Sequence, residues 1–241
     1  MRVLLVHCHP NPGSFVSSLA RDARAALERA GNEVRFLDLH ADGFDPVFTL
    51  SERINHTAPP GGKLEEFPVL RASVEALQWC EALVLVYPTW WSAQPAMLKG
   101  WIDRVLMKGV AWDLPEGADT LVPGLTHIRR IVAVTTHGSS KFVNALEGEP
   151  GKRTVTRSVR LMCGLRCRTS WVAMYGLDRA GDRSRERFRR RVTRVMTRLS
   201  CRAPRGPAPR RRARRRARAQ PRQPRGAGAR CLTSASPPRT A

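Results

Sequence analysis

"RVLLVHCHPNPGSF", residues 2–15, joins an apolar run to a His-Cys-His cluster, two prolines, a glycine and a serine. The run is continuous in Val and Leu, as in a strand covered on both faces. Behind it Phe15, Leu19, Ala23, Ala26, Leu27 and Ala30 follow a helical period that stops at Gly31. A buried strand feeding a helix through a short Pro/Gly loop opens a βαβ unit, and the rest of the chain repeats that unit.

"EVRFLDLH" (33–40) reads as the second strand, and after a Pro/Gly-rich loop at 58–62 the stretch from Val69 to Trp79 suits a helix. "ALVLVYP" (82–88) is the third strand. Met97, Leu98, Trp101, Ile102, Val105 and Leu106 stripe the next helix, with Pro95 near its first turn, where proline is tolerated. "IRRIVAVTTHG" (128–138) and "SWVAMYGL" (170–177) are strands four and five, with a helix expected over 153–163 between them. Phe188, Val192, Val195, Met196 and Leu199 space a final helix. This alternation predicts an α/β protein with a doubly wound, five-stranded parallel sheet.

The formal charge of +22 is unevenly spread. Residues 1–151 carry a net −3, residues 152–200 a net +12, and residues 201–241 a net +13 with no acidic residue. From Cys201 the chain has no aromatic and no hydrophobic period, so a disordered Arg/Pro/Ala-rich tail is expected. Such an arm could touch nucleic acid, but without interleaved aromatics for base stacking that partner is not expected. Residues 1–200 are expected to form the folded domain. Six cysteines in no paired framework suit reduced thiols, and Cys163 and Cys167 lack a second pair for a zinc site. No stretch approaches the roughly 20 apolar residues of a membrane span. A cytoplasmic protein is the expectation.

Several chemistries compete for the opening loop. A metal would draw on His7 and His9, yet two ligands are not a site, so no metal is expected. A phosphatase loop would make Cys8 the nucleophile, but the arginine it needs six positions later is Ser14. An anion cradle fits better: Gly13 permits a tight turn, Ser14 can cap the helix, and first-turn N–H groups at Phe15 and Val16 are free for a phosphate. A plain helix cap without ligand stays open as well. Strand three leaves into "YPTWWSAQPAMLKGW" (87–101) and strand four into "TTHGSSKF" (135–142). Adjacent tryptophans at a strand exit are shaped to flank a planar ring, though either could instead plug helix to sheet. Gly138 lets backbone approach a ligand, beside Thr136 and His137. Phosphate, ring-face and ring-edge contacts from three neighbouring exits suit a flavin.

"HPNPGSF", "YPTWWSAQPAMLKGWIDRV" and "TTHGSSK" together resemble the NAD(P)H:quinone reductase (DT-diaphorase-like) branch of the flavodoxin-like flavoproteins, over residues 2–199. The resemblance implies the strand order 2-1-3-4-5. It implies that His9, Ser14 and Phe15 contact the phosphate and ribityl side of the cofactor. Pro88, Thr89, Trp90 and Trp91 would line the isoalloxazine, with a backbone N–H near Trp91 available to N5. Thr136, His137 and Gly138 would edge its pyrimidine end. Trp112 falls at the substrate-stacking aromatic, and Lys141 near the pocket, where the alternative is an exposed loop lysine. The cofactor implied is FAD rather than FMN, with NAD(P)H as co-substrate, a quinone-like acceptor, and a homodimer with sites at its interface. Three departures stand out. Val16 replaces an asparagine, His137 replaces a glycine, and the relay Tyr and His fall at Val143 and Glu149. The expected activity is two-electron hydride transfer from NAD(P)H through flavin to a quinone by a ping-pong cycle, with His137 the candidate catalytic side chain. The competing function is a flavodoxin-type electron carrier.

Overall fold

The computed structural model describes residues 1–55, 58 and 64–199. The chain runs β1 (Arg2–His7), α1 (Phe15–Arg29), β2 (Glu33–Asp38), α2 (Leu50–Ile54), α3 (Val69–Trp79) and β3 (Ala82–Pro88). It continues with α4 (Ala96–Val105), a two-residue antiparallel pair β4 (Trp112–Asp113) and β5 (Val122–Pro123), then β6 (Arg130–Thr136) and α5 (Lys141–Leu146). The last part is α6 (Pro150–Arg153), a π-helical stretch Thr154–Val159, α7 (Arg160–Met162), β7 (Arg168–Met174) and α8 (Asp182–Thr197). The described residues belong to one compact unit. The expected tail from residue 201 lies outside the described residues.

The main sheet has the order β2-β1-β3-β6-β7, and every pair in it is parallel. Leaving out the two-residue strands, this is the expected 2-1-3-4-5 order. Successive residues point to opposite faces and fill two different cores. Leu4, Val6, Leu83, Leu85, Ile131 and Ala133 pack against α3, α4 and the π-helical stretch. Val3, Leu5, Val84, Val86, Val132 and Val134 pack against α1 and α8. All seven residues of β3 are buried, which is why that segment reads as an unbroken apolar run.

Several element ends differ from the expected ones for local reasons. β1 stops at His7, not residue 9. Cys8 N–H still reaches the Val86 carbonyl at 3.1 Å, but Pro10 and Pro12 have no N–H to continue the ladder. β2 stops at Asp38, whose carboxylate turns the chain by accepting from the amides of His40 and Ala41, both at 3.3 Å. The last helix begins at Asp182, before its first apolar anchor Phe188, because an aspartate in the first turn favours the helix dipole. The expected 153–163 helix is the run Pro150 to Met162, with a π-helical middle.

Two contacts dock the segment after β2 on α4. A side-chain carbon at Gly100 would stand 2.2 Å from the Pro46 carbonyl oxygen, so only glycine admits that approach. Arg104 donates to buried Glu52 at 2.8 Å and to the Asp45 carbonyl. Glu52 is also the third residue of α2, where it closes a capping box with Thr49. The chain is thereby pinned beneath the carboxyl ends of the strands, the face on which open α/β sheets bind ligands.

Candidate functional site

Asn11 knits the β1 exit. Its N–H donates to His9 Nδ1 at 2.9 Å, its Oδ1 accepts from Gly13 N–H at 2.8 Å, and its carbonyl accepts from Ser14 N–H at 3.1 Å. Because Nδ1 of His9 accepts, the neutral ring carries its proton on Nε2. Burial pushes the His9 ring below its ordinary value, and His40 adds to the depression. Ser14 caps α1 by accepting from Ser17 N–H at 3.1 Å. The first-turn amides of Phe15 and Val16 have no intrahelical acceptor and remain for an anion. Cys8 is fully buried in the core and its thiol is pushed up to about 12 by burial, so it is no nucleophile.

The β3 exit is a strained hairpin tip. Trp90 and Ala93 exchange backbone bonds at 3.1 and 3.0 Å, which leaves Trp91 at φ 48° and Ser92 at φ 61°. Two-residue turns with positive φ at both positions favour Asn-Gly; Trp-Ser costs on the order of 1–3 kcal/mol per strained residue. Trp91 is 100% exposed and Trp90 44%. Neither plugs helix to sheet; that role falls to Trp101 of α4, buried with its Nε1–H on Ser73 at 3.0 Å. His9 and Trp90 meet edge to face, ring centres 6.1 Å apart, and so join the first two exits.

At the β6 exit Thr136 is buried, and its carbonyl accepts from Thr89 N–H at 2.8 Å. The hydroxyls of Thr89 and Thr135 bond at 2.8 Å, and His137 Nε2 lies 3.4 Å from Thr89 Oγ1. His137 is 5% exposed and stacks on Tyr175, ring centres 4.5 Å apart. Its Nδ1 has no hydrogen-bond partner among the described residues. Burial holds the ring below its ordinary value, while Asn144, Glu149 and Glu147 pull the other way. Gly138 sits against Asp178, whose carboxylate oxygen would lie 2.5 Å from any side-chain carbon placed there.

Thr89, Trp91, Ser92, His137, Gly138, Ser139, Asn144 and Glu147 line one cleft of about 230 Å³. Four of these are sequence-expected residues, and His9 adjoins them through Trp90. Ser14 and Phe15 stand at the start of α1, and Pro88 is buried within β3. Trp112 is half-buried in β4 and donates to the Leu106 carbonyl at 3.0 Å, and Lys141 is exposed at the start of α5; neither lines the cleft. Sequence reasoning missed Ser92, Ser139, Asn144 and Glu147. The Ser92 hydroxyl donates to the Glu147 carboxylate, a closure that depends on how α5 docks and leaves no mark in local spacing. It also missed Asn11 and Ser17, and weighed His7 only as a metal ligand. Among the described residues no group of three or more His, Cys, Asp or Glu could hold a metal ion, and no helix is long and apolar enough to cross a membrane.

The donor set suits a flavin. Free amides at a helix start take a phosphate, an exposed indole offers a ring face, and His137 and Gly138, which line the cleft, stand where a ring edge would lie. The family described as "Flavodoxin-like fold" matches residues 1–199. The ribosyldihydronicotinamide dehydrogenase (quinone) of Pongo abelii is 31% identical over 154 residues, 58% of this chain and 65% of that protein. The NAD(P)H dehydrogenase (quinone) 1 of Rattus norvegicus is 26% identical over 168 residues, 64% of this chain and 60% of that one. The chain thus covers less than two thirds of the length of these relatives. An NAD(P)H:quinone oxidoreductase structure from Methanothermobacter marburgensis superposes with a TM-score of 0.71 at 25% identity, covering 83% of this chain and 98% of that chain. By topology and by the family match over residues 1–199, the chain belongs to the flavodoxin-like fold family.

Proposed function

We propose that this chain is a flavin-dependent NAD(P)H oxidoreductase that delivers two electrons, as hydride, to a quinone or similar acceptor. The observation that carries the reading is the placing of an anion cradle, an exposed indole and the cleft-lining His137 and Gly138 at three adjacent strand exits. A bound flavin would supply the hydride acceptor and donor. The chain itself binds and polarises it. Ser14, Phe15 and His9 hold the phosphate end, the 89–91 backbone and the indoles flank the ring, and Thr136, His137 and Gly138 serve its pyrimidine edge. His137, which lines the cleft at the β6 exit, is the side chain proposed to serve in place of the absent Tyr and His relay. Nicotinamide and acceptor use the same cleft in turn, which makes the cycle ping-pong. FAD is proposed over FMN. Exposed Trp91, Phe142 and Leu146 beside the cleft suit a homodimer interface. The cytoplasm is the proposed compartment, with residues 1–200 as the working domain.

The test is direct. The purified full chain, loaded with FAD or FMN, should consume NADH or NADPH steadily in the presence of menadione. Flavin binding without steady consumption would make it an electron carrier instead, and no flavin binding would overturn both readings.

A further inference from the structure

Beneath the anion cradle, His7, Ser17, Asn11 and Val86 make three contacts that a neutral imidazole cannot satisfy together. Nδ1 of His7 lies 3.1 Å from the Val86 carbonyl, which only accepts, so this contact needs a proton on Nδ1. Ser17 Oγ lies 2.8 Å from the Asn11 carbonyl, which also only accepts, so the single hydroxyl proton is drawn there. Nε2 of His7 lies 3.0 Å from the same Ser17 Oγ. In a neutral ring protonated at Nδ1, Ser17 must choose between Nε2 and Asn11, and the contact it abandons becomes two acceptors face to face. The other neutral tautomer sets a bare Nδ1 against the Val86 carbonyl. Ser14 Oγ, 2.9 Å from Ser17 Oγ, cannot repair the shortage, because its proton reaches neither carbonyl. The network is one hydrogen short.

A second ring proton completes it: Nδ1–H to Val86, Nε2–H to Ser17, and the Ser17 hydroxyl to Asn11. Burial opposes that charge, since His7 is 2% and Ser17 3% exposed. The charged and titratable groups around the ring act in both directions. Asp38 of β2 favours the cation; His9 at the β1 exit and His40 after β2 oppose it. From α1, Arg24 lies over Phe36, whose ring stacks on His7 at 6.4 Å. An anion on the first-turn amides of α1 would add a further negative charge less than one turn from Ser17.

We propose that His7 is a positioning residue whose uptake of one proton from solvent accompanies the seating of the flavin phosphate, and whose imidazolium then locks Ser17 onto the Asn11 loop. This rests on the flavin reading above. The complex then holds a proton that the free protein lacks, so affinity rises as pH falls. The gain is at most about tenfold per pH unit, between the ring's value in the free protein and its higher value in the complex.

Calorimetric titration of the flavin-free full chain with FAD at about pH 7, in two buffers of different ionisation enthalpy, counts the protons. FAD is chosen because its pyrophosphate does not titrate near neutrality, whereas a phosphate monoester has a second pKa of about 6. The wild type should take up a substantial fraction of one proton. Uptake should vanish in His7→Gln and fall in Ser17→Ala, and riboflavin, which has no phosphate, should bind without it. Should His7→Gln fail to fold, the ring nitrogen shifts of His7 in the wild type decide: both nitrogens must report a proton once FAD is bound. FAD binding without proton uptake, or equal uptake in His7→Gln, overturns this proposal alone. Failure of FAD and FMN to bind overturns the flavin reading and this proposal with it.

Discussion

Ser14 and His137 carry separable predictions because each has two jobs. The Ser14 hydroxyl caps α1 and stands where a phosphate would sit. Ser14→Ala loses the cap, which costs about 1 kcal/mol of stability, and one ligand hydrogen bond of similar size. Ser14→Asp keeps a capping oxygen but puts a carboxylate beside the phosphate. The two variants should therefore rank in opposite order, Ala lower in thermal stability and Asp lower in flavin affinity; the same order in both assays would argue against an anion at this helix start. For His137, burial sets the ring below its ordinary value. A ring held neutral in the fold but free to protonate when unfolded adds stability that is complete above about pH 6.5 and is lost as pH falls from there toward the folded value. His137→Gln should flatten that acid-side loss in a melting series from pH 7 to about pH 5. The negative charge of a bound, reduced flavin would draw a proton onto this ring, so His137→Gly should lower the midpoint potential and flatten its pH dependence. Superimposable redox titrations would assign that work to backbone N–H groups alone.

Two elements trade stability against function. The hairpin tip at Trp91 and Ser92 holds two side-chain-bearing residues at positive φ. Replacing the pair by Asn-Gly, the residues such turns favour, should raise unfolding stability by roughly 1–3 kcal/mol and weaken flavin binding by removing the indole. Denaturant titration and flavin fluorescence read the two effects separately, and a destabilised variant would mean the Ser92 bond to Glu147 outweighs the strain. On α4, Arg104 and Glu52 form a fully buried pair. Arg104→Met leaves the Glu52 carboxylate buried and unpaired, at a cost of about 3–5 kcal/mol, whereas the double change with Glu52→Leu should recover most of it. Additive losses in the double variant would contradict that account.

For the whole molecule, α8 is the decisive boundary. Phe188, Val192, Met196 and Leu199 are buried against Val132, Val134 and Val172, so this helix closes one face of the sheet. Residues 1–200 expressed alone should keep flavin and full turnover, while a chain ending before Asp182 exposes that face and should fail to fold. Loss of flavin from the 1–200 protein, seen as a colourless product, would assign the basic segment a structural role.

Element types were legible in this sequence because they depend on short-range periodicity, whereas the strand order was expected only from the family resemblance. Val3 and Leu4 alternate between two cores, β3 is apolar throughout because it is buried on both faces, and Phe15 to Ala30 repeat at helical spacing. The three exits were legible too, since Pro, Gly and paired Trp break those periods where the strands end. Other features took the tertiary fold to create. Glu147 reaches the cleft only because α5 docks beside the β3 hairpin, and Gly100 is required only because Pro46 lies on it. The proton shortage around His7 arises from groups 10 and 79 residues away in the chain. Periodicity records which face of an element is buried. Only the fold decides which distant donors and acceptors must share a hydrogen.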